Sequence, residues 1–120
     1  MKFPQIAELE SFFHTSYVST YGHDVSVDYD DLKFVSEFGS NRTVCHIEPA
    51  ENCFTFAWSQ DSVVRLSLAF RDVISLELSS SAGTSRLMGR IKNSESDQLF
   101  KLTLFPNVSF ELATALPTYD

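Results

Sequence analysis

The sequence predicts an α+β domain: one N-terminal helix packed on a strongly twisted antiparallel sheet, or on a partly open barrel, of six to eight strands. Three observations predict it. Apolar residues recur at helical spacing only within residues 4–19. From residue 24 to residue 113 the apolar period is two, interrupted by short polar turns. The 120 residues contain no linker, repeat or low-complexity tract, so one domain spans 1–120. At this length a chain buries enough surface to fold without a metal or disulfide. Eleven phenylalanines point to a core of bulky aromatics.

The helix is expected over residues 4–19. Ile6, Leu9, Phe13 and Tyr17 fall on one face and Phe12 widens it. Pro4 suits a first helical position and Gly22 a stop. After Gly22, Val25, Val27 and Tyr29 alternate with Ser26, Asp28 and Asp30, which predicts a first strand with the apolar set inward. Residues 33–38 form a weaker strand ending at Gly39-Ser40-Asn41. Residues 42–48 and 53–59 read as a hairpin around Glu48-Pro-Ala-Glu-Asn52, with Phe54, Phe56 and Trp58 on one face.

The strongest pattern is "VVRLSLAFRDVISLELS" (63–79). Val64, Leu66, Leu68, Phe70, Ile74, Leu76 and Leu78 share one phase and Asp72 alone breaks it. A charge in an apolar phase marks a bulge, a bend or a tight turn at Arg71-Asp72, in either one bent strand or a hairpin. A Ser/Gly loop is expected over 79–85. Strands follow with Leu87, Gly89 and Ile91, then Phe100, Leu102 and Leu104, then Val108, Phe110 and Leu112.

Charge is distributed unevenly. Residues 1–62 hold three basic side chains (Lys2, Lys33, Arg42) and ten acidic ones, a balance of −7; residues 63–120 hold six of each. A negative excess steers cationic partners and repels nucleic acid, so direct nucleic-acid binding is not expected. No segment approaches the length of a membrane span and the N-terminus lacks a signal-peptide core, which predicts a cytoplasmic protein. Cys45 and Cys53 fit neither a zinc pair nor a redox pair. They are expected as reduced thiols on neighbouring strands, with a cross-hairpin disulfide as the alternative.

"YGHDVSVDYDDL" (21–32) concentrates four aspartates beside His23. Same-side carboxylates two apart on a strand stand about 6.5–7 Å apart, too far to chelate one ion well. The spacing also misses the calcium-loop pattern. No metal and no cofactor is expected. The three histidines, His14, His23 and His46, are not brought together by any motif, and no nucleophile elbow, phosphate loop or HExxH occurs. No catalytic residue is assigned and the chain is expected not to be an enzyme. The residues expected to contact a partner are Asp24, Asp28, Asp30 and Asp31, with Glu37 and Glu48 as outliers of the same patch.

Three stretches carry a resemblance. His23-Asp24 opens the first strand; "VRLSLAFRDVISLEL" (64–78) holds an aromatic–x–x–valine step from Phe70 to Val73; "FKLTLFPNVSFELATA" (100–115) is a final hairpin centred on Phe110. Together, over residues 21–115, they resemble small β-rich immunity proteins found beside bacterial polymorphic toxins. Asp72 departs from that pattern, where a small residue is more usual. The resemblance implies a cytosolic, non-enzymatic inhibitor that binds a cognate toxin domain, a partner that the charge balance independently suggests is basic. Two other readings remain open: a ligand-binding or enzymatic small barrel with an aromatic-lined pocket and His23 or His46 at its mouth, and a nucleic-acid mimic that inhibits a DNA-binding enzyme.

Overall fold

The computed structural model describes residues 1–19, 26 and 29–114. One helix, α1 (Ile6–Phe13), precedes nine strands among the described residues: β1 (Val18–Ser19), β2 (Leu32–Phe38), β3 (Asn41–Glu48), β4 (Cys53–Gln60), β5 (Val63–Phe70), β6 (Val73–Ser81), β7 (Thr84–Ile91), β8 (Gln98–Thr103) and β9 (Ser109–Thr114). They form two antiparallel sheets in meander order, β1-β2-β3-β4-β5 and β6-β7-β8-β9. The expected helix-plus-antiparallel-sheet architecture is present. The strands number nine rather than six to eight, and they make two sheets with no closed barrel.

The corner at Arg71-Asp72 divides the sheets. Asp72 adopts a left-handed backbone (φ 59°), a conformation that a short polar side chain tolerates better than most. Its carbonyl accepts from Lys92 N–H at 2.9 Å, and Val73 N–H donates to Asn52 O at 3.0 Å. β5 therefore ends in one sheet and β6 begins in the other. The stretch 63–79 is neither one bent strand nor a hairpin.

Turns elsewhere are tight. Gly39 (φ 59°) and Ser40 link Phe38 to Asn41. Asp61 and Ser62 (φ 50° and 64°) link Gln60 to Val63. Ala82 and Gly83 (φ 52° and 78°) link Ser81 to Thr84. The paired positive φ angles at 61–62 and 82–83, and the single one at Gly39, match the right-handed strand twist of two-residue hairpins. The loop expected over 79–85 is thus a two-residue turn, and Ser79–Ser81 continue the ladder.

The helix is shorter than its apolar period. Pro4 precedes the N-cap residue Gln5 rather than opening the helix, and His14 ends it in a left-handed conformation (φ 55°) with its N–H on Glu10 O. The Glu10 carboxylate then accepts Tyr17 N–H at 3.0 Å, pulling the chain out of helical register. Tyr17 still reaches the core, with its ring 6.3 Å from Phe34, but from the segment after the helix. Leu9, Phe12 and Phe13 are the buried helical residues.

The core lies between the sheets and under the helix. On the helix side Phe13 stacks on Phe34 at 4.7 Å and meets Phe12 edge-on at 5.0 Å. On the far side Phe100 lies 4.9 Å from Phe54, 5.5 Å from Phe70 and 5.6 Å from Phe110. Gly89, directly opposite Phe100 in the β7–β8 register, makes room for that ring: a Cβ there would fall 2.0 Å from it. Phe54 and Phe56 are buried as expected, and Trp58 packs against the core at its margin, with its indole N–H on Asn41 Oδ1 at 2.9 Å.

Candidate functional site

Residues pointing away from the core on the five-stranded sheet form three rows set by the register. Val18, Lys33, His46, Thr55 and Ala69 make one. Val35, Val44, Ala57 and Ser67 make the second, and Glu37, Arg42, Ser59 and Val64 the third. Glu48 and Cys53 pair beyond the first row. The result is an apolar stripe of small side chains between two charged rows. Such a surface, apolar in the middle and polar at the rim, is what partner-binding patches present.

The first charged row is organised around Asp31. Its two carboxylate oxygens lie 3.0 and 3.1 Å from His46 Nδ1, so this carboxylate orients the ring. Asp31 N–H donates to Asp30 Oδ1 at 2.8 Å, and Ser19 Oγ–H donates to Asp30 Oδ2. Asp30 thereby ties β1 to the start of β2 and sets the backbone from which Asp31 reaches His46. In the third row, Glu37 meets Arg42 Nε at 3.4 Å with both side chains largely exposed. Exposed pairs of this kind add little stability.

The sequence-predicted contact residues separate into three groups. Asp31, Glu37 and Glu48 come to this outer face. Asp30 does not: only 3% of it is exposed, while Tyr29, expected to point inward, is 70% exposed. At its described end the expected alternation does not hold, and Tyr29 N–H donates to Ser26 O at 2.9 Å; residues 24, 25, 27 and 28 of the expected first strand lie outside the described residues. Asp24 and Asp28, with His23, lie outside the described residues. The face is also less acidic than the composition suggests, since Asp31 and Glu37 each stand beside a basic side chain and Lys33 lies across from His46. Sequence reasoning missed the cations and the Val35–Val44–Ala57 stripe. The signal was present in the outward phase of three consecutive strands, which was legible only once their register was known.

The cysteines point to opposite sides. Cys45 is buried, and that burial pushes its thiol well above the usual range, with the Asp31 charge adding to the effect. Cys53 faces outward; partial burial and then Glu48 raise its thiol more modestly. Both are free, and their registers (Cys45 with Phe56, Cys53 with Glu48) exclude the cross-hairpin disulfide. A thiol reagent is expected to modify Cys53 slowly in the folded protein and Cys45 only on unfolding, which mass spectrometry of labelled peptides checks.

Among the described residues, no group of three or more His, Cys, Asp or Glu side chains could hold a metal ion. No helix among them is long and apolar enough to cross a membrane. A groove of about 650 Å³ opens between α1 and the β6–β7 hairpin, lined by Glu8, Phe12, His14, Leu78, Ser80 and Phe105 among others. The inter-sheet aromatics fill the core instead of lining it, and His46 stands on the opposite sheet, away from this groove.

No family model matches the sequence, and no curated protein matches it. A solved structure does match: a chain of a contact-dependent growth inhibition toxin–immunity protein complex from Klebsiella pneumoniae 342 superposes with a TM-score of 0.79 at 14% identity. The likeness covers 95% of this chain and 96% of that one. The two chains therefore share a fold from end to end, the fold of a component of a toxin–immunity assembly.

Proposed function

We propose that this chain is a cytoplasmic, non-enzymatic immunity protein that binds a cognate toxin domain and blocks it. The observation that carries this reading is the end-to-end likeness to a chain of a toxin–immunity complex. Charge supports the immunity side of such a pair over the toxin side. Toxins that attack nucleic acid need a surface that tolerates phosphate, and a net charge of −7 opposes that. The same charge accelerates encounter with a basic domain.

The outer face of the five-stranded sheet is the contact surface in this reading. Asp31, Glu37 and Glu48 supply its negative groups, and the Val35–Val44–Ala57 stripe supplies the part that loses water; Asp24 and Asp28, expected from the sequence as further contacts, lie outside the described residues. The direct test is co-purification with a candidate toxin domain, sought in the C-terminal region of the protein that the preceding gene encodes. An equimolar complex supports the reading, and two species that elute separately refute it.

Charge also gives a kinetic expectation. Each Glu→Lys change moves the net charge by two, so Glu37→Lys with Glu48→Lys takes −7 to −3. Association with the toxin domain at low salt is expected to slow about tenfold, with a flatter salt dependence. Stopped-flow fluorescence of Trp58 or of a labelled partner measures it.

A further inference from the structure

We propose that the free edge of β5 accepts an extended strand from the toxin domain, so that the five-stranded sheet gains a strand in the complex; this rests on the immunity reading above. β5 closes the strand order, with β4 as its hydrogen-bonded neighbour. On an edge strand, alternate backbone N–H and C=O groups point away from that neighbour. No described strand meets those of β5, and Val63 and Val64 are 52% and 66% exposed.

The other edges are covered or less suited. On β6, Lys2 N–H donates to Ile74 O at 3.0 Å and Leu76 N–H donates to Lys2 O at 2.8 Å. On β2, β1 pairs with the first residues, and Ser36 Oγ–H donates to Phe13 O, holding the end of α1 against the rest. β9 is open but six residues long, against eight for β5.

β5 is also continuous with the proposed contact face. The row Val35–Val44–Ala57–Ser67 runs straight to its edge, so one partner can cover the stripe and pair with the strand. On the inward side Leu66, Leu68 and Phe70 are only half-buried, and a strand with apolar residues at alternate positions would complete their burial. The usual protection is confined to one end of the edge, at the bulge of Arg65. The strand has no proline and no lysine, and Arg65 is its one charge. Arg65 sits at the register shift opposite Trp58 and Ser59, while Leu66–Phe70 pair with β4 without interruption. A second copy of this chain is the competing occupant, and the mutual repulsion of two chains of charge −7 opposes it.

Residue-resolved amide exchange tests this, with the toxin domain that co-purifies with this chain as the probe. In the free protein, amides of Val63–Phe70 should alternate between slow and fast exchange. On complex formation the fast set is expected to slow by roughly tenfold or more. Fast amides that stay fast while outer-face resonances such as Val44 and Ala57 shift would overturn the edge proposal and leave the immunity reading standing. No shift anywhere would overturn both. Slow exchange along all of β5 in the free protein, with dimer formation at the same concentration, would assign the edge to a second copy and overturn the proposal.

Discussion

Phe100→Ala is expected to lower unfolding stability by about 3–5 kcal/mol. The ring is 1% exposed and sits within 4.9–5.6 Å of Phe54, Phe70 and Phe110. It is the element of β8 that reaches across to β4 and β5, so its loss opens a cavity between the two sheets rather than at a margin. The backbone around it has little freedom to collapse, because Gly89 already brings β7 against the ring face. Gly89→Ala should act in the same direction by overpacking the same point. Urea or thermal unfolding followed by Trp58 fluorescence and far-UV circular dichroism measures both. A loss below about 1 kcal/mol for Phe100→Ala would show that the sheets do not depend on this cluster.

Asp30→Lys is expected to destabilise the fold by about 3 kcal/mol or more. In an account drawn from composition, this substitution would change only a surface charge and the rate of meeting a partner. The structure gives the carboxylate a structural task. It accepts Ser19 Oγ–H and Asp31 N–H while almost wholly buried, and a lysine there would bury a cation against donors. Asp30→Asn, which keeps the size and one acceptor, should cost only about 1 kcal/mol. Comparing the two by denaturant unfolding separates a buried anchor from a surface charge. Near-wild-type stability for Asp30→Lys would place the carboxylate in solvent.

The difference between Asp30 and its neighbours shows what the sequence could and could not disclose. Strands β3 to β9 were legible as strands, and patterns such as Phe54-x-Phe56-x-Trp58 record the buried phase directly; the phase read through Val64 and Ile74 fails, because register shifts at Trp58/Ser59 and Val73/Ser75 turn Val64 and Ile74 outward and Val73 inward. Phase does not record which sheet a strand joins, so the division at Asp72 read only as an interruption. Residues 24–30 keep the same period in the sequence, yet Tyr29 is exposed and Asp30 buried, the reverse of the phase that period predicts. The helix was over-extended for a related reason. Tyr17 stands at helical spacing from Phe13, yet Glu10 captures its backbone N–H after the helix has ended. Of the candidate site, the acidic residues were visible singly. Their basic neighbours, His46 beside Asp31 and Arg42 beside Glu37, became visible only through cross-strand register, which no local pattern encodes.

That pairing changes how charge acts in the proposed complex. The negative excess of residues 1–62 does not rest on the outer sheet face alone, where Lys33 and Arg42 stand among Asp31, Glu37 and Glu48. It rests more on residues such as Glu51 and Asp61, at the ends of the sheet, and on Asp24 and Asp28. Long-range attraction then belongs to the chain as a whole, while the face supplies register and an apolar centre. Steering and grip are separable in such an arrangement: reversing surface charges changes the association rate, whereas enlarging Ala57 or Val44 in the stripe changes dissociation.

The most direct test of the immunity reading is bacterial growth. The candidate toxin domain is expressed inside cells with and without this chain, and this chain is also expressed alone. The reading predicts arrest with the domain alone, normal growth when both are present, and normal growth with this chain alone. Growth arrest by this chain alone, or arrest that persists when both are present in a folded, equimolar state, would contradict it.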